Sequence, residues 1–110
     1  MESEPPFTVR VESRNGVARV VPSGDLDMAT VPVLNDHLAQ TEQDEVGGIM
    51  LDLRFVMFLG RVGIRAFVQA RDRAALNGHR FLIVGASPFT RHLLRVTSMD
   101  FLLEDPDART

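Results

Sequence analysis

The chain is 110 residues long, 45% hydrophobic and 25% charged, with 15 acidic and 12 basic residues and a formal net charge of −3. That describes one globular domain and argues against disorder, a fibrous repeat or a general drive toward nucleic acid or anionic membrane. It has no cysteine, and every basic residue is arginine, which excludes disulfides, thiolate metal sites, thiol catalysis, a phosphate-loop lysine and Schiff-base chemistry.

Residues 1–6 read as a flexible lead. Thr8–Ser13 alternates, with Val9 and Val11 to one side and Thr8 and Arg10 to the other, the pattern of a strand. Asn15-Gly16 is a strong hairpin signal, and Val17–Val21 reads as the returning strand, ended by Pro22, Ser23 and Gly24. Thr30 is placed to cap a helix with Pro32 in its first turn, and Val31, Leu34 and Leu38 define one face of it. Gly47-Gly48 breaks that pattern. Ile49–Leu53 is then a short apolar run expected for a buried strand, with Asp52 near its end.

Gly60 to Asn77 predicts a second helix. Ile64, Phe67 and Val68 form its apolar stripe, continued by Ala75, while Arg61, Arg65, Gln69 and Arg73 lie four apart on another face. Asn77-Gly78 is a C-terminal stop. Phe81–Val84 predicts another strand, and Ser87-Pro88 a cap followed by a third helix, with Phe89, Leu93 and Val96 on one face. Phe101–Leu103 adds a short last strand, and residues 104–110 read as a flexible tail. The result is one domain over residues 7–103. Its opening hairpin and β-α repeats predict an α/β fold, a mixed sheet with helices packed against it.

No catalytic constellation stands out. His37, His79 and His92 are scattered without metal-ligand spacing, so no metal or cofactor is expected. Asp25 and Asp27 could ligate a cation, but such a pair is more often solvated or satisfies loop amides. No phosphate-binding glycine motif occurs. No apolar run approaches the ~20 residues of a membrane span, and the acidic N-terminus is unlike a signal peptide, so a cytoplasmic protein is expected.

Three segments together resemble the STAS domain of bacterial anti-sigma factor antagonists. Ser23-Gly24-Asp25-Leu26-Asp27-Met28-Ala29-Thr30 resembles the family's G-E-L-D-x-x-T loop. Leu51-Asp52-Leu53 through Phe58-Leu59 to Gly63-Ile64 is similar to L-D-L-x-x-V-x-F-I-D-S-S-G-L. Val84-Gly85-Ala86-Ser87-Pro88 through Leu93 to Met99-Asp100 is similar to V-G-x-S-P-x-V-x-x-x-L-x-x-x-G-L-D. The match runs from about Phe7 to Leu103. It implies a STAS-like mixed sheet of four to five strands with about three helices.

The resemblance also implies a function. Such proteins bind an anti-sigma factor, usually a GHKL-type serine kinase, and so free a sigma factor for transcription. They are not enzymes, carry no cofactor, and make no direct contact with nucleic acid. The kinase phosphorylates a serine at the start of the second helix, which breaks the complex, and a phosphatase resets it.

This sequence departs from the family at that point. Gly60-Arg61-Val62-Gly63 stands where the family has D-S-S-G, so Arg61 occupies the phosphoacceptor position and no hydroxyl remains in the tetrapeptide. Three readings of Arg61 stay open: drift after loss of regulation, a positive patch with Arg65 for an acidic partner surface, or a block to the usual partner. Ser23, Thr30, Ser87 and Thr90 lie at or near helix starts, where capping and turn formation explain them. The resemblance places the partner-binding surface at Asp27, Met28, Gly60, Arg61, Val62, Arg65 and Phe89. The alternative is a constitutive structural STAS subunit of a signalling assembly or lipid transporter complex. The exposed edge of the opening hairpin could also pair with a second copy to give a homodimer.

Overall fold

The computed structural model describes residues 6–44 and 47–103. The expected lead (apart from Pro6) and tail lie outside those residues. Asn15 and Gly16 both adopt positive φ, 54° and 80°, the backbone of a tight turn whose twist matches that of its flanking strands. It joins β1 (Thr8–Arg14) to β2 (Val17–Leu26) in an antiparallel pair closed by Arg14 opposite Val17. Everything after the hairpin pairs in parallel. α1 (Val31–Gln43) returns the chain to β3 (Gly48–Asp52), which lies beside residues 17–20 of β2. After a two-residue kink, β4 (Phe55–Leu59) pairs with residues 23–26 of the same strand. α2 (Arg61–Leu76) leads to β5 (Arg80–Val84) beside β3. α3 (Pro88–Val96) and a single 3-10 turn (Asp100–Leu102) end the described chain.

The sheet thus runs β1-β2-β3-β5, with β4 continuing the line of β3 along β2. Two expectations change here. β2 does not stop at Pro22 but continues to Leu26. In the two-residue hairpin, hydrogen-bonded pairs alternate from Arg14–Val17, so Val9–Pro22 falls on a non-bonded position. The nitrogen of Pro22 therefore faces away from β1, into the interval where the β3 ladder has ended and the β4 ladder has not begun. A missing N–H costs little there. The fifth strand is β4, not Phe101–Leu103. The latter is mostly the 3-10 turn, and Leu103 makes one isolated parallel bridge to Ile83.

Alternation along the strands sends Ala18, Val20, Ile49, Leu51 and Ile83 to one face. There they join Leu34 and Leu38 of α1, Ile64, Ala66, Phe67 and Ala70 of α2, and Leu94 of α3 in a single core. α1 buries the expected Val31, Leu34 and Leu38. The stripe of α2 continues through Ala70 and Ala74; Ala75 faces solvent. The third helix turns differently from its apolar spacing. Thr90 and Leu94 are buried, whereas Phe89 and Val96 are 68% and 61% exposed. The Ser87 hydroxyl accepts from the Thr90 N–H at 3.1 Å and donates to its hydroxyl. Thr90 is thereby held inward, which sets the rotation of the whole helix.

Candidate partner-binding site at the start of helix α2

The start of α2 is fixed by backbone and by glycine. The Gly60 N–H donates to the Leu26 carbonyl at 2.9 Å, tying the helix entrance to the end of β2. The Gly63 and Ile64 N–H groups donate to the Gly60 carbonyl. A Cβ on Gly63 would lie 2.6 Å from Leu59 Cδ1 and 3.3 Å from Leu26 Cβ, so any side chain there requires Leu59 to shift. Gly60 is looser: φ is −86°, and a Cβ there would meet its nearest atoms at 3.4 Å, an ordinary contact.

The kink that delivers β4 and α2 depends on Asp52, which is 1% exposed. Its carboxylate accepts from the Arg54 N–H at 3.0 Å and pairs with the guanidinium of Arg54 and, more closely, with that of Arg19. Burial pushes the Asp52 pKa up, but the Arg19 hydrogen bond, the Arg54 N–H and the two cationic charges outweigh it, so the carboxyl sits below its usual value. Arg19 is correspondingly raised, chiefly by its hydrogen bond to Asp52. Gly85 packs so closely here that a Cβ would come within 2.4 Å of Asp52 Oδ1.

The loop from β2 to α1 is held by Asp27. Its Oδ1 accepts from the N–H groups of Ala29 and Thr30 at 3.0 and 3.1 Å, and its carbonyl accepts from Val31 at 2.9 Å. The Thr30 hydroxyl, expected to cap the helix, makes no capping hydrogen bond. It accepts from the Asp27 N–H and donates to the Asp25 carbonyl. The Asp27 carboxylate therefore organises the loop, with Asp25 contributing its backbone carbonyl, and among the described residues no group of three or more metal-ligating side chains comes together. Met28, held at the tip of this turn, is 79% exposed.

Arg61 and Arg65 are exposed on the first turns of α2, and among the described residues neither guanidinium makes a hydrogen bond or ion pair. With no acidic residue in that turn and no side-chain acceptor at Gly60, the positive end of the helix dipole meets two further positive charges. Val62 is half-buried against the core. Arg73, at the far end of the same row, is not free: it forms a two-pronged ion pair with Glu42 of α1 at 3.0–3.2 Å. The structure thus brings Asp27, Met28, Gly60, Arg61, Val62 and Arg65 to one end of the sheet. Phe89, the second residue of α3, follows β5, which ends level with Asp52 of β3, and no hydrogen bond ties it to α2.

Three exposed apolar residues of β4 were not foreseen at this site. Phe55, Met57 and Phe58 are 45%, 81% and 53% exposed. Phe58 Cε2 lies 3.4 Å from where a Gly60 Cβ would stand. Met57 is the extra residue of a β-bulge, since Gly24 is registered with Val56 and Asp25 with Phe58. The apolar run Phe55–Leu59 is the sequence signal for them.

A five-stranded mixed sheet, three helices on one face and a glycine-bound start to the second helix define a class, and comparison with known proteins gives the same one. The STAS domain model matches residues 8–108, and the chain belongs to that family. It is 26% identical over 100 residues to the anti-sigma-F factor antagonist RsfB of Mycobacterium tuberculosis, covering 91% of this chain and 81% of the relative. A crystal structure of an anti-sigma factor antagonist from Mycobacterium paratuberculosis superposes with a TM-score of 0.78 at 26% identity, covering 98% of this chain and 94% of the other. The anti-sigma factor antagonist SpoIIAA shares the fold at 15% identity. Its unphosphorylated form gives a TM-score of 0.74, with 91% of this chain and 87% of that one covered, and its phosphorylated form from Bacillus 0.70, with 91% and 90%. No helix among the described residues is long and apolar enough to cross a membrane.

Proposed function

We propose that this STAS domain is a cytoplasmic protein-binding module that sequesters an anti-sigma factor of the GHKL serine-kinase type, and so raises transcription from the sigma factor that partner would otherwise hold. The module is not an enzyme. It works without phosphorylation at the start of α2, because Arg61 stands at the phosphoacceptor position. One observation carries the reading: the backbone at the start of α2 is pinned by Gly60 and Gly63, while Met28, Arg61 and Arg65 around it face solvent. A rigid frame with an apolar and cationic rim suits recognition of a partner with an acidic surface. The likeness to RsfB supports an anti-sigma factor as that partner.

The test is binding measured by calorimetry against the serine-kinase anti-sigma factors of the source organism. The native chain is expected to bind one of them. Met28→Asp and Arg65→Glu are each expected to weaken that complex about tenfold or more. Leu76→Asp, at the far end of α2 where the side chain is 86% exposed, is expected to leave it unchanged. If no such partner is bound, or if Leu76→Asp matters as much as Met28→Asp, the reading fails. A constitutive structural subunit then becomes the better account.

A further inference from the structure

β1 is the outer strand of the sheet and is almost entirely exposed. The register of its hairpin determines which groups it offers. Arg14–Val17 closes a two-residue turn and is a hydrogen-bonded pair, so Glu12–Arg19, Arg10–Val21 and Thr8–Ser23 are bonded pairs as well. The N–H and C=O groups of Val9, Val11 and Ser13 therefore point outward from the sheet, and among the described residues no strand meets them.

We propose that this edge is a self-association surface whose occupant is the β1 strand of a second copy, paired antiparallel about a two-fold axis at Val11. Three features of the strand select that occupant and register. In it Val11 faces Val11 of the second copy, and Val9 faces Ser13. Those are the residues whose backbone groups point outward, so each pairing makes two hydrogen bonds. Side chains at 10 and 12 stand on the open face of the sheet, and the same register sets Arg10 opposite Glu12 of the second copy at the closer, non-bonded positions. Two opposite-charge pairs result, one on each side of the axis. Arg10 and Glu12 now pair with each other within the strand at 2.9 Å, both more than half exposed. Exchanging that contact for the intermolecular one costs little, since exposed ion pairs contribute little either way. At the centre Val11, 40% exposed, meets its own copy. Slipping the register by one residue would set each outward-pointing group opposite a residue already bonded inward, and slipping by two would lose both charge pairs. The two sheets become one continuous sheet, and the start of α2 takes no part in the contact.

The test uses the full chain in sedimentation velocity across a concentration series. The native protein is expected to show a reversible monomer–dimer equilibrium. Arg10→Glu sets two acidic side chains opposite each other at both charge pairs, and Glu12→Arg sets two basic ones there. Each variant alone is expected to dissociate at a concentration about tenfold higher. An equimolar mixture of the two restores opposite-charge pairing and is expected to form the heterodimer with native affinity. Val11→Pro removes an outward N–H at an edge position that tolerates proline, and is expected to give a folded monomer by circular dichroism. A native chain that stays monomeric at every concentration overturns the proposal. So does a dimer that survives Val11→Pro, or a mixture that fails to associate better than either variant alone.

Discussion

Gly63 and Asp52 carry the local geometry of the site in different ways. Gly63 acts by having no side chain: a Cβ there would stand 2.6 Å from the Leu59 Cδ1 methyl, which would have to move within the core. Gly63→Ala is expected to destabilise the fold by about 1–3 kcal/mol through overpacking, despite the better helix propensity of alanine. Chemical denaturation measures it, and a stabilised variant would show that the helix can move. Asp52 acts by charge. Its folded pKa lies below the unfolded value of about 3.9, so its contribution to stability is present above that value and is lost as pH falls through the folded pKa. Asp52→Asn is expected to lose about 2–3 kcal/mol at neutral pH, a discounted figure because Arg19 and Arg54 are partly exposed. The gap between variant and native protein should narrow in acid. Denaturation midpoints from about pH 7 to pH 2 check the sign, and a gap that widened in acid would contradict it.

At the scale of elements, α3 gives the sharpest test, because two stripes compete on it at helical spacing. Phe89, Leu93 and Val96 are the more apolar set, yet Thr90 and Leu94 are buried. Leu94→Ala is expected to cost about 2–4 kcal/mol and Phe89→Ala less than about 0.5 kcal/mol, by thermal or chemical denaturation. The reverse order would mean that the helix faces the other way. This element also marks the limit of what the chain states openly. Asn15-Gly16 specifies its hairpin, and Val31, Leu34 and Leu38 specify the face of α1, because each signal is local. The rotation of α3 rests on a cap made by Ser87 to Thr90, where a polar residue takes a core position. β4 was hidden for another reason: Phe55–Leu59 has no period, and only pairing with the far end of β2 makes it a strand. The positions of the candidate site were legible through the family resemblance. The exposed Phe55, Met57 and Phe58 beside them were not, since their exposure follows from a bulge on a strand at the end of the sheet.

The whole molecule combines the STAS fold with Gly60-Arg61-Val62-Gly63 at the start of α2. In a STAS domain the start of α2 is a place where a helix dipole welcomes an anion. Here that place holds Arg61 and Arg65, with no hydroxyl between Gly60 and Gly63. The fold around it is intact: the entrance is pinned to Leu26, and Gly63 keeps the close approach to Leu59. Gly60 has room for a larger side chain at an ordinary φ. On the proposed function, an acidic residue at 60 and a serine at 61 should therefore supply the phosphoacceptor without disturbing the fold. The direct measurement takes the native chain and Gly60→Asp/Arg61→Ser, each with the cognate serine-kinase anti-sigma factor and ATP, and follows complex formation and phosphate transfer together. The native chain is expected to bind, take up no phosphate and stay bound. The double variant should bind, become phosphorylated at the new serine and dissociate. A native chain that is phosphorylated and released in ATP would contradict a phosphorylation-independent antagonist, as would one that binds no such kinase.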